Sequence, residues 1–477
     1  MCSLHDNSGA LTSTNGRSIL RATADTGRYC DPLPCFSILA RPGRADGATL
    51  GAEGSREMTR TSTRLALVAF SLFAAACSTM PSASGSRAVV SVWVEMVPGG
   101  GSEVRAITGE TTCPSLTVDG GAHAMRVRAP ADGKDFPVTV CEVSMPPGAR
   151  TAALAGQALP LPNPSPRRIL VIGDTGCRMK APSYFQACND PAAWPFAQVA
   201  ARAAAWRPDL VIHLGDYHYR ESPCPAGNAG CAGSPVGDTW QSWLADFFTP
   251  AAPLLKAAPW VVVRGNHELC DRAGQGWFRF LEPRPYPASC TDDTVSYVVP
   301  VGRTVLAVLD SSSASDDSAP PADVTRYAAQ LERLAASTPA YTWLLTHRPV
   351  WGASSYDGQL SLGNLTLQAA ARGKIPAAVT LMLAGHIHLF GGLAFDARRP
   401  PIMIVGTGGT ALDDPITQNL TGMTIDGAKF TTGKTSHGFG YVTMEPLAEG
   451  WRATVYDVED RPVTECALAR GTLTCPP

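Results

Sequence analysis

The chain has 477 residues, 45% of them apolar, which is enough to bury a large core and excludes global disorder. Its 39 Lys and Arg residues against 41 Asp and Glu give a net charge of −2, and the absence of a basic block argues against nucleic-acid binding. No apolar run reaches the roughly 18 residues that cross a bilayer, so a polytopic membrane protein is excluded.

Residues 58–77, well inside the chain, resemble an export signal. Two arginines precede an apolar run over 65–76, which has the length of a signal-peptide core and is too short to span a membrane. Cys77 follows at once, as in a bacterial lipoprotein signal. We therefore expect a lipid anchor at Cys77 to be the only link to a membrane, with ordinary cleavage after Ala76 as the alternative.

The internal position of this signal predicts that translation starts at Met58. Residues 1–57 show no helical or strand period, and we expect them to be disordered or never made. Residues 78–86 are Ser-rich and are interpreted as a tether. The predicted destination is the periplasm or the outer membrane of a Gram-negative-type bacterium, as a lipoprotein.

The cysteines agree with export. Of the 14, three lie upstream of the signal and one ends it, which leaves ten, an even number that is typical of an exported disulfide-bonded protein. Sequence alone does not determine connectivity. Proximity along the chain favours five disulfides: Cys113–Cys141, Cys177–Cys188, Cys224–Cys231, Cys270–Cys290 and Cys466–Cys475.

The rest of the chain divides into three predicted parts. Residues 87–158 alternate apolar and polar positions between glycine clusters, which predicts a small all-β domain. A proline-rich linker follows over 159–166. Residues 167–477 alternate predicted strands with predicted helices, as layered α/β domains do. The predicted strands are 167–173, 210–214, 260–263, 305–309, 343–346, 379–384 and 402–405, and the predicted helices are 192–206, 237–248, 253–258 and 322–336.

Polar motifs stand at the ends of five of these strands. In open α/β sheets, ligands bind beyond the carboxyl ends of the strands, so the five motifs are expected to converge. Each motif alone is weak evidence of function, but their conjunction offers oxygen and nitrogen donors suited to Fe, Mn or Zn. The motifs are Gly173-Asp174-Thr175-Gly176, Gly215-Asp216-Tyr217-His218-Tyr219, Gly265-Asn266-His267-Glu268, His347, and Gly385-His386-Ile387-His388.

The order GD…GDxxY…GNHE…H…GHxH resembles the calcineurin-like metallophosphoesterase superfamily, over residues 169–388. The preceding β-domain and the GDxxY motif are similar to those of the purple acid phosphatases. The chain resembles exported bacterial members of that branch. The resemblance implies a four-layer αββα sandwich preceded by a small all-β domain. It also implies a dinuclear-metal phosphoesterase that hydrolyses small phosphate esters by attack of a metal-bound hydroxide.

The resemblance also implies a role for each motif residue. Asp216 is the bridging carboxylate between two metal ions. Asp174, Tyr219 and His388 are expected at the first ion, and Asn266, His347 and His386 at the second. His267 is the candidate general acid or hydrogen-bond donor to the transition state, without being a ligand.

Tyr219 determines the expected first metal. The superfamily's common Asp-x-His has Gly176 at the His position, and Tyr219 replaces the missing ligand in the manner of the purple acid phosphatases. A phenolate, whose pKa is normally near 10, favours a highly charged cation, so we expect Fe(III) in the first site and Fe, Zn or Mn in the second. The alternative is that Tyr219 is an ordinary aromatic residue, and Tyr217 is expected to face the other way.

Other functions are also compatible with the sequence. A phosphodiesterase, nucleotidase or lipid-headgroup hydrolase would carry the same motifs, and a surface lipoprotein could keep the fold without turnover. Substrate-binding residues are unknown: Trp240, Trp243, Trp277 and Tyr286 could line a pocket or the core. The insert 221–239 is interpreted as a lid, 311–315 as a loop beside the site, and His213 as a core histidine.

Overall fold

The computed structural model describes residues 89–182, 184–339, 341–396 and 399–476. These residues belong to one compact unit, Met80–Pro477. The predictions for 1–57, for the signal 58–77 with Cys77, and for the tether 78–86 lie outside the described residues. Within the described ranges, no helix has the length and apolarity that crossing a membrane requires.

Strands dominate the secondary structure, in keeping with 85 Gly and Pro residues (45 plus 40) that favour turns. The helices are α1 (Phe196–Ala205), α2 (Trp240–Trp243), α3 (Thr249–Leu255), α4 (Gly274–Phe280), α5 (Pro321–Ala335) and α6 (Leu365–Ala371), with 3₁₀ turns at Pro98–Gly100 and Asn266–Glu268 and a π-helical turn at Leu244–Phe248. The strands are β1 (Val89–Met96), β2 (Ser102–Thr108), β3 (Ser115–Val118), β4 (Gly121–Ala124), β5 (Arg126–Ala129), β6 (Thr139–Ser144), β7 (Ala152–Leu154), β8 (Gln157–Ala158), β9 (Ile169–Ile172), β10 (Met179–Lys180), β11 (Tyr184–Phe185), β12 (Leu210–His213), β13 (Trp260–Val262), β14 (Tyr297–Val301), β15 (Thr304–Val308), β16 (Thr342–Leu345), β17 (Ser354–Tyr356), β18 (Gln359–Ser361), β19 (Val379–Ala384), β20 (Phe390–Phe395), β21 (Ile402–Val405), β22 (Thr424–Ile425), β23 (Ala428–Ser436), β24 (Gly440–Pro446), β25 (Trp451–Asp457), β26 (Pro462–Ala469) and β27 (Thr472–Thr474).

Two large sheets form the centre of the fold. The first has eleven strands in the order β27-β26-β25-β24-β9-β12-β13-β1-β2-β6-β5, and the second has eight in the order β14-β15-β16-β19-β21-β20-β23-β22. Strands β9, β12 and β13 are parallel neighbours in the first sheet, and β15, β16, β19 and β21 are parallel neighbours in the second. These two parallel blocks carry the sequence motifs.

Alternation along the buried strands produces the layers. Ile169 and Val171 of β9 pack between the two sheets, against residues such as Leu383 and Met403 of the second sheet. Leu170 and Ile172 point the other way, into a core that contains α1, α3 and α4. The far side of the second sheet is covered by α5 and α6. The result is the expected four-layer αββα sandwich, since each sheet hides one face against the other and one against helices.

The N-terminal strands differ from the expectation in one respect. Residues 89–158 form an all-β segment, as predicted, but half of its strands extend the first, eleven-stranded sheet. Strand β1 pairs in parallel with β13 through Glu95 and Trp260, and β2, β6 and β5 follow it in the sheet. Strands β4-β3-β7-β8 form a separate four-stranded sheet. Local patterning identifies a strand but not its distant partner, so the pairing across the linker 159–166 had no signal in the sequence.

The five expected disulfides are all present, which confirms the pairing by proximity: Cys113–Cys141, Cys177–Cys188, Cys224–Cys231, Cys270–Cys290 and Cys466–Cys475. The helix expected over 237–248 starts three residues later, where the Thr239 side chain accepts a hydrogen bond from Ser242 N–H and caps α2. The π-helical turn then links α2 directly to α3, so the predicted break before 253–258 is wrong.

Candidate metal centre

All the predicted site residues lie at one edge of the molecule, beyond the carboxyl ends of the five parallel strands. This is the location that open α/β sheets use for ligands. Strand β9 is followed by Asp174, β12 by Asp216 and Tyr219, β13 by Asn266 and His267, β16 by His347, and β19 by His386 and His388.

A first group of donors surrounds the Tyr219 hydroxyl. This hydroxyl donates to Asp216 Oδ2 at 2.7 Å and lies 3.2 Å from Asp174 Oδ1 and 3.0 Å from His388 Nε2. One ligand atom from each of Asp174, Asp216 and His388 lies within 4.8 Å of the others, and these residues are buried. Tyr217 points into the core, where its hydroxyl donates to Val263 O at 3.1 Å. The two tyrosines thus face opposite ways, as their spacing predicts.

A second group shares Asp216 with the first. Donor atoms of Asp216, His347 and His386 lie within 4.8 Å of one another. His347 Nε2 is 3.2 Å from Asp216 Oδ2 and 3.0 Å from Asn266 Oδ1. Asp216 is therefore common to both donor groups, and Asn266 joins the second.

Each of the three candidate histidine ligands has one ring nitrogen already engaged. His347 Nδ1 donates to Leu214 O at 2.8 Å, and His388 Nδ1 donates to Ala411 O at 2.8 Å, so Nε2 of each ring turns to the donor groups. His386 Nε2 lies 3.0 Å from Asp316 Oδ2 and 3.0 Å from Arg348 Nη1, so Nδ1 is its candidate ligand atom. Metal-binding histidines characteristically give their second nitrogen to an oxygen acceptor in this way.

Backbone geometry brings the carboxylates close to their neighbours. Asp174, Asp216 and His386 have φ of 58°, 58° and 70°, in the left-handed region that residues other than glycine seldom adopt. A Cβ at Gly265 would lie 2.1 Å from Asp216 Oδ1, and one at Gly385 would lie 2.5 Å from Asp174 Oδ2. These two glycines are required for close approach, as the motifs indicate.

The electrostatics of the site call for positive charge. Burial alone would lower the pKa of His347, but Asp216 and then Asp174 outweigh burial and raise this pKa to about 9. Burial, followed by the charges of Asp216 and Asp174, raises the pKa of Tyr219 well above 10.0. No Lys or Arg forms an ion pair with either aspartate among the described residues. The donors fit metal cations, because two buried carboxylates that are balanced only by histidine are otherwise costly.

His267 borders this cluster and is not one of the grouped donors. Its ring packs on Tyr219 with 3.7 Å between centroids, and its Nε2 is 3.8 Å from Asp216 Oδ2. Its Nδ1 lies 2.6 Å from Glu221 Oε1 and 2.7 Å from an Arg272 nitrogen. Burial first, and then the Arg272 charge, lowers the pKa of His267 to about 3 despite the nearby Asp216 and Glu221.

Two buried acids that sequence reasoning did not assign hold the motif loops in place. The Glu268 carboxylate accepts hydrogen bonds from the N–H groups of Gly265, Asp216, Tyr217 and His218. Burial, followed by the charge of Asp216, raises the pKa of Glu268 to about 8.

Asp246 accepts from Tyr219 N–H at 2.8 Å and from Cys177 N–H at 3.2 Å. It thereby ties the second motif to the first. Glu268 is visible as part of GNHE, whereas nothing in the sequence marks Asp246, which lies in the π-helical turn.

A cavity of about 370 Å³ opens onto the donors, and His267, Asn266 and Asp216 line it. Two larger clefts, of about 680 and 640 Å³, contain none of the predicted site residues. Trp240, Trp243 and Trp277 belong to the core rather than to this cavity. His213 is also buried, with its Nε2 3.1 Å from Thr175 Oγ1, as expected of a core histidine.

Two loops predicted to lie near the site, 311–315 and 221–239, contact it to different extents. Ser311 Oγ accepts from the N–H groups of His347 and Arg348, so the 311–315 segment does lie next to the second donor group. The insert 221–239 contacts the site through Glu221, its first residue. Its lid role stays a prediction.

Comparison with known proteins agrees with this geometry. The calcineurin-like phosphoesterase family profile matches residues 167–390. The fold is similar to that of a purple acid phosphatase from yellow lupin (Lupinus luteus) seeds, at 15% identity over 78% of this chain and 73% of that chain, with a TM-score of 0.51. It is also similar to a structure of PhoD, at 12% identity over 83% and 93% of the chains and a TM-score of 0.50. No curated protein sequence matches the chain.

The fold and the donor set define a metal-dependent phosphoester hydrolase. Residues 167–390 match the calcineurin-like phosphoesterase family.

Proposed function

We propose that the protein is a dinuclear-metal phosphatase of the purple acid type that hydrolyses small phosphate esters. The observation that carries the proposal is that Asp216 belongs to two donor groups at once. One carboxylate between two sets of ligands is the arrangement that two-metal hydrolysis requires. Asp174, Tyr219 and His388 complete the first site, and Asn266, His347 and His386 complete the second.

When bound, the two cations would neutralise the phosphate, hold it in line and supply a hydroxide nucleophile. The chain's own residues provide the rest. Asp216 fixes the spacing of the two sites, and His267 faces the cavity from beside Tyr219. His267 would donate a hydrogen bond to the phosphoryl or leaving-group oxygen, with Glu221 at its Nδ1 and Arg272 in contact with the ring.

Tyr219 supports iron(III) in the first site, with Fe, Zn or Mn in the second. The Tyr219 pKa is raised in the metal-free protein, so only a strongly polarising cation would draw off the phenol proton. The hydroxyl already lies within 3.2 Å of Asp174 and Asp216, where a cation would replace the shared proton.

Visible absorption tests this assignment, because iron phenolate absorbs by charge transfer. We expect the purified enzyme to be purple to pink and Tyr219→Phe to remove the band. Tyr217→Phe is the matched control: Tyr217 is also buried on the same motif but its hydroxyl bonds core carbonyls, so the band should persist. A colourless, fully active, iron-free enzyme would contradict the iron assignment and leave a two-metal phosphoesterase of another kind.

We also propose that the protein is exported. The five disulfides support an oxidising compartment. Mass analysis of the native protein tests the lipid anchor: an N-terminal lipid-modified Cys77 is expected, and any peptide from upstream of Met58 would contradict the internal start.

A further inference from the structure

The wall of the metal-site cavity carries three cations, and their pairing differs. Arg272 forms an ion pair with Glu221, and Lys180 Nζ lies 3.7 Å from Glu221 Oε2. Arg178 also lines the cavity, yet within the described part of the chain its side chain makes no hydrogen bond or ion pair, and its Nε is buried without a partner. A buried donor without a partner is costly unless a ligand satisfies it.

The backbone of Arg178 is held firmly. Its N–H donates to Gln186 Oε1 at 2.9 Å and its carbonyl accepts from Gln186 N–H at 2.8 Å. The same Gln186 side chain donates to Ala193 O and Gly409 O, and the Cys177–Cys188 disulfide spans the segment. The unpaired guanidinium therefore projects from a rigid support, which lowers the entropy cost of binding a ligand.

The charge of Arg178 acts on the first donor group. Burial and Asp216 raise the pKa of Tyr219, and the Arg178 charge opposes them. Elsewhere the same cavity is lined by the carboxylates of Asp316, Asp317 and Asp413, which disfavour a second anionic group on the substrate. The natural partner for Arg178 is thus the phosphoryl group itself.

We propose that Arg178 binds a non-bridging oxygen of the substrate's phosphoryl group and makes the enzyme favour monoester dianions over diester monoanions. This inference rests on the proposed phosphoesterase function. A monoester carries one more negative charge than a diester, and Arg178 is the cavity cation with no carboxylate to neutralise it. Arginine also matches two phosphate oxygens through paired N–H donors.

The test compares Arg178→Gln, Arg178→Lys and Lys180→Gln as metal-loaded proteins. Calorimetry measures the Kd of inorganic phosphate, and kcat/KM is measured on p-nitrophenyl phosphate and its bis-ester. Arg178→Gln should weaken phosphate binding about tenfold or more, the usual size for a charged hydrogen bond, and cut monoester kcat/KM by about tenfold more than diester kcat/KM. Arg178→Lys should be intermediate.

Lys180→Gln is the control, because it removes one positive charge from the same wall where Glu221 already neutralises it. Its phosphate Kd should change by less than about threefold. Metal content should be unchanged in all three variants. A wild-type phosphate Kd and ester ratio in Arg178→Gln, or loss of metal from it, would overturn the proposal. Should Arg178→Gln not fold, Arg178→Lys with wild-type values would do the same.

The outcome separates this inference from the function beneath it. If the metal-loaded wild type hydrolyses neither ester, the proposed function fails, and phosphate calorimetry still compares Arg178→Gln with the wild type. If the wild type is active and Arg178→Gln is indistinguishable from it, only the role of Arg178 fails.

Discussion

The protein buries carboxylates in two places and balances their charge in different ways. Under the N-terminal strands lies the arginine cluster, defined as Glu95, Arg105, Arg128 and Glu142. Arg105 Nη1 is 3.0 Å from Glu95 Oε2, and Arg128 Nη1 is 2.8 Å from Glu142 Oε2. Other guanidinium donors of the two arginines reach main-chain carbonyls at the end of α4 and beyond, including Phe280 O and Glu282 O. Here the chain supplies its own counter-charge.

The metal centre lacks such a partner. Asp174 and Asp216 are 0% and 1% exposed, as deeply buried as the arginine cluster, but among the described residues they meet only histidines, a phenol and backbone N–H groups. His347, with its pKa raised to about 9, supplies the positive charge in the absence of metal. Burial of acids alone therefore does not indicate function, whereas burial of acids beside histidines, with no Lys or Arg partner, indicates a metal ligand.

The largest expected effect comes from Asp216→Asn. Losing the shared carboxylate should remove both ions or lower kcat/KM about a thousandfold or more. Burial would raise the pKa of Asp216, but the charge of His347 holds this pKa well below 3.8, so the carboxylate stabilises the metal-free fold. The metal-free variant should therefore also be less stable than the metal-free wild type. Elemental analysis measures the loss of metal, and denaturant unfolding measures the stability of the metal-free proteins. Glu142→Gln is the control from the arginine cluster: it should keep its metal and lose stability.

Arg105→Ala probes the other side of the comparison. It leaves Glu95 buried without its ion pair and removes the Arg105 donor from Phe280 O, so the free energy of unfolding should fall by about 3–5 kcal/mol. Glu282 O loses one of its two arginine donors and keeps that of Arg128. Metal stoichiometry should not change. Arg126→Ala, whose side chain is 67% exposed beside Glu142, should cost less than about 1 kcal/mol. Metal loss in Arg105→Ala with little destabilisation would contradict the division into two clusters.

Glu95 predicts a pH dependence that belongs to the arginine cluster. Burial, only partly offset by Arg105, raises the pKa of Glu95 from 4.5 to about 7. The folded state therefore holds this proton more tightly, and unfolding free energy is lost as pH rises from about 4.5 to 7. The Glu95→Gln variant should lack this loss, which amounts to at most about 3 kcal/mol. Parallel stability curves for the two proteins across that range would refute the assignment.

His267→Ala should have the smallest effect on the metal centre. Because His267 borders the donors without joining them, the variant should keep its metal and lose about 10- to 100-fold in kcat. Loss of an ion from His267→Ala would mean that the roles are assigned wrongly. A measurement of kcat together with metal content distinguishes the two results.

Much of the fold was predictable from local patterns. The alternation of strands and helices predicted a layered α/β domain, and the resemblance carried by the strand-end motifs implied the αββα layers. The spacing of two residues separated Tyr217 from Tyr219. Proximity along the chain also predicted the disulfides. These features depend on short stretches of sequence, where period and motif carry the information.

The unpredicted features depend on contacts distant in sequence. The β1–β13 pairing brings Glu95 beside Trp260, and Arg128 reaches carbonyls about 150 positions away. Asp246 reaches Tyr219 and Cys177 from a helical turn that has no motif. Arg178 stands out because its neighbours Lys180 and Arg272 have a carboxylate partner, whereas Arg178 has none among the described residues. Absence of a partner is a property of the folded chain alone.

The buried acids of the metal centre, Asp174 and Asp216, are expected to hold two ions. Elemental analysis of the full protein, after reconstitution with iron and zinc and removal of free metal, measures this number. We expect about two ions per chain in the wild type and in Arg105→Ala, with fewer in Asp216→Asn. A wild-type protein that binds no ion, or that binds one ion which Asp216→Asn retains, would refute the two-metal site.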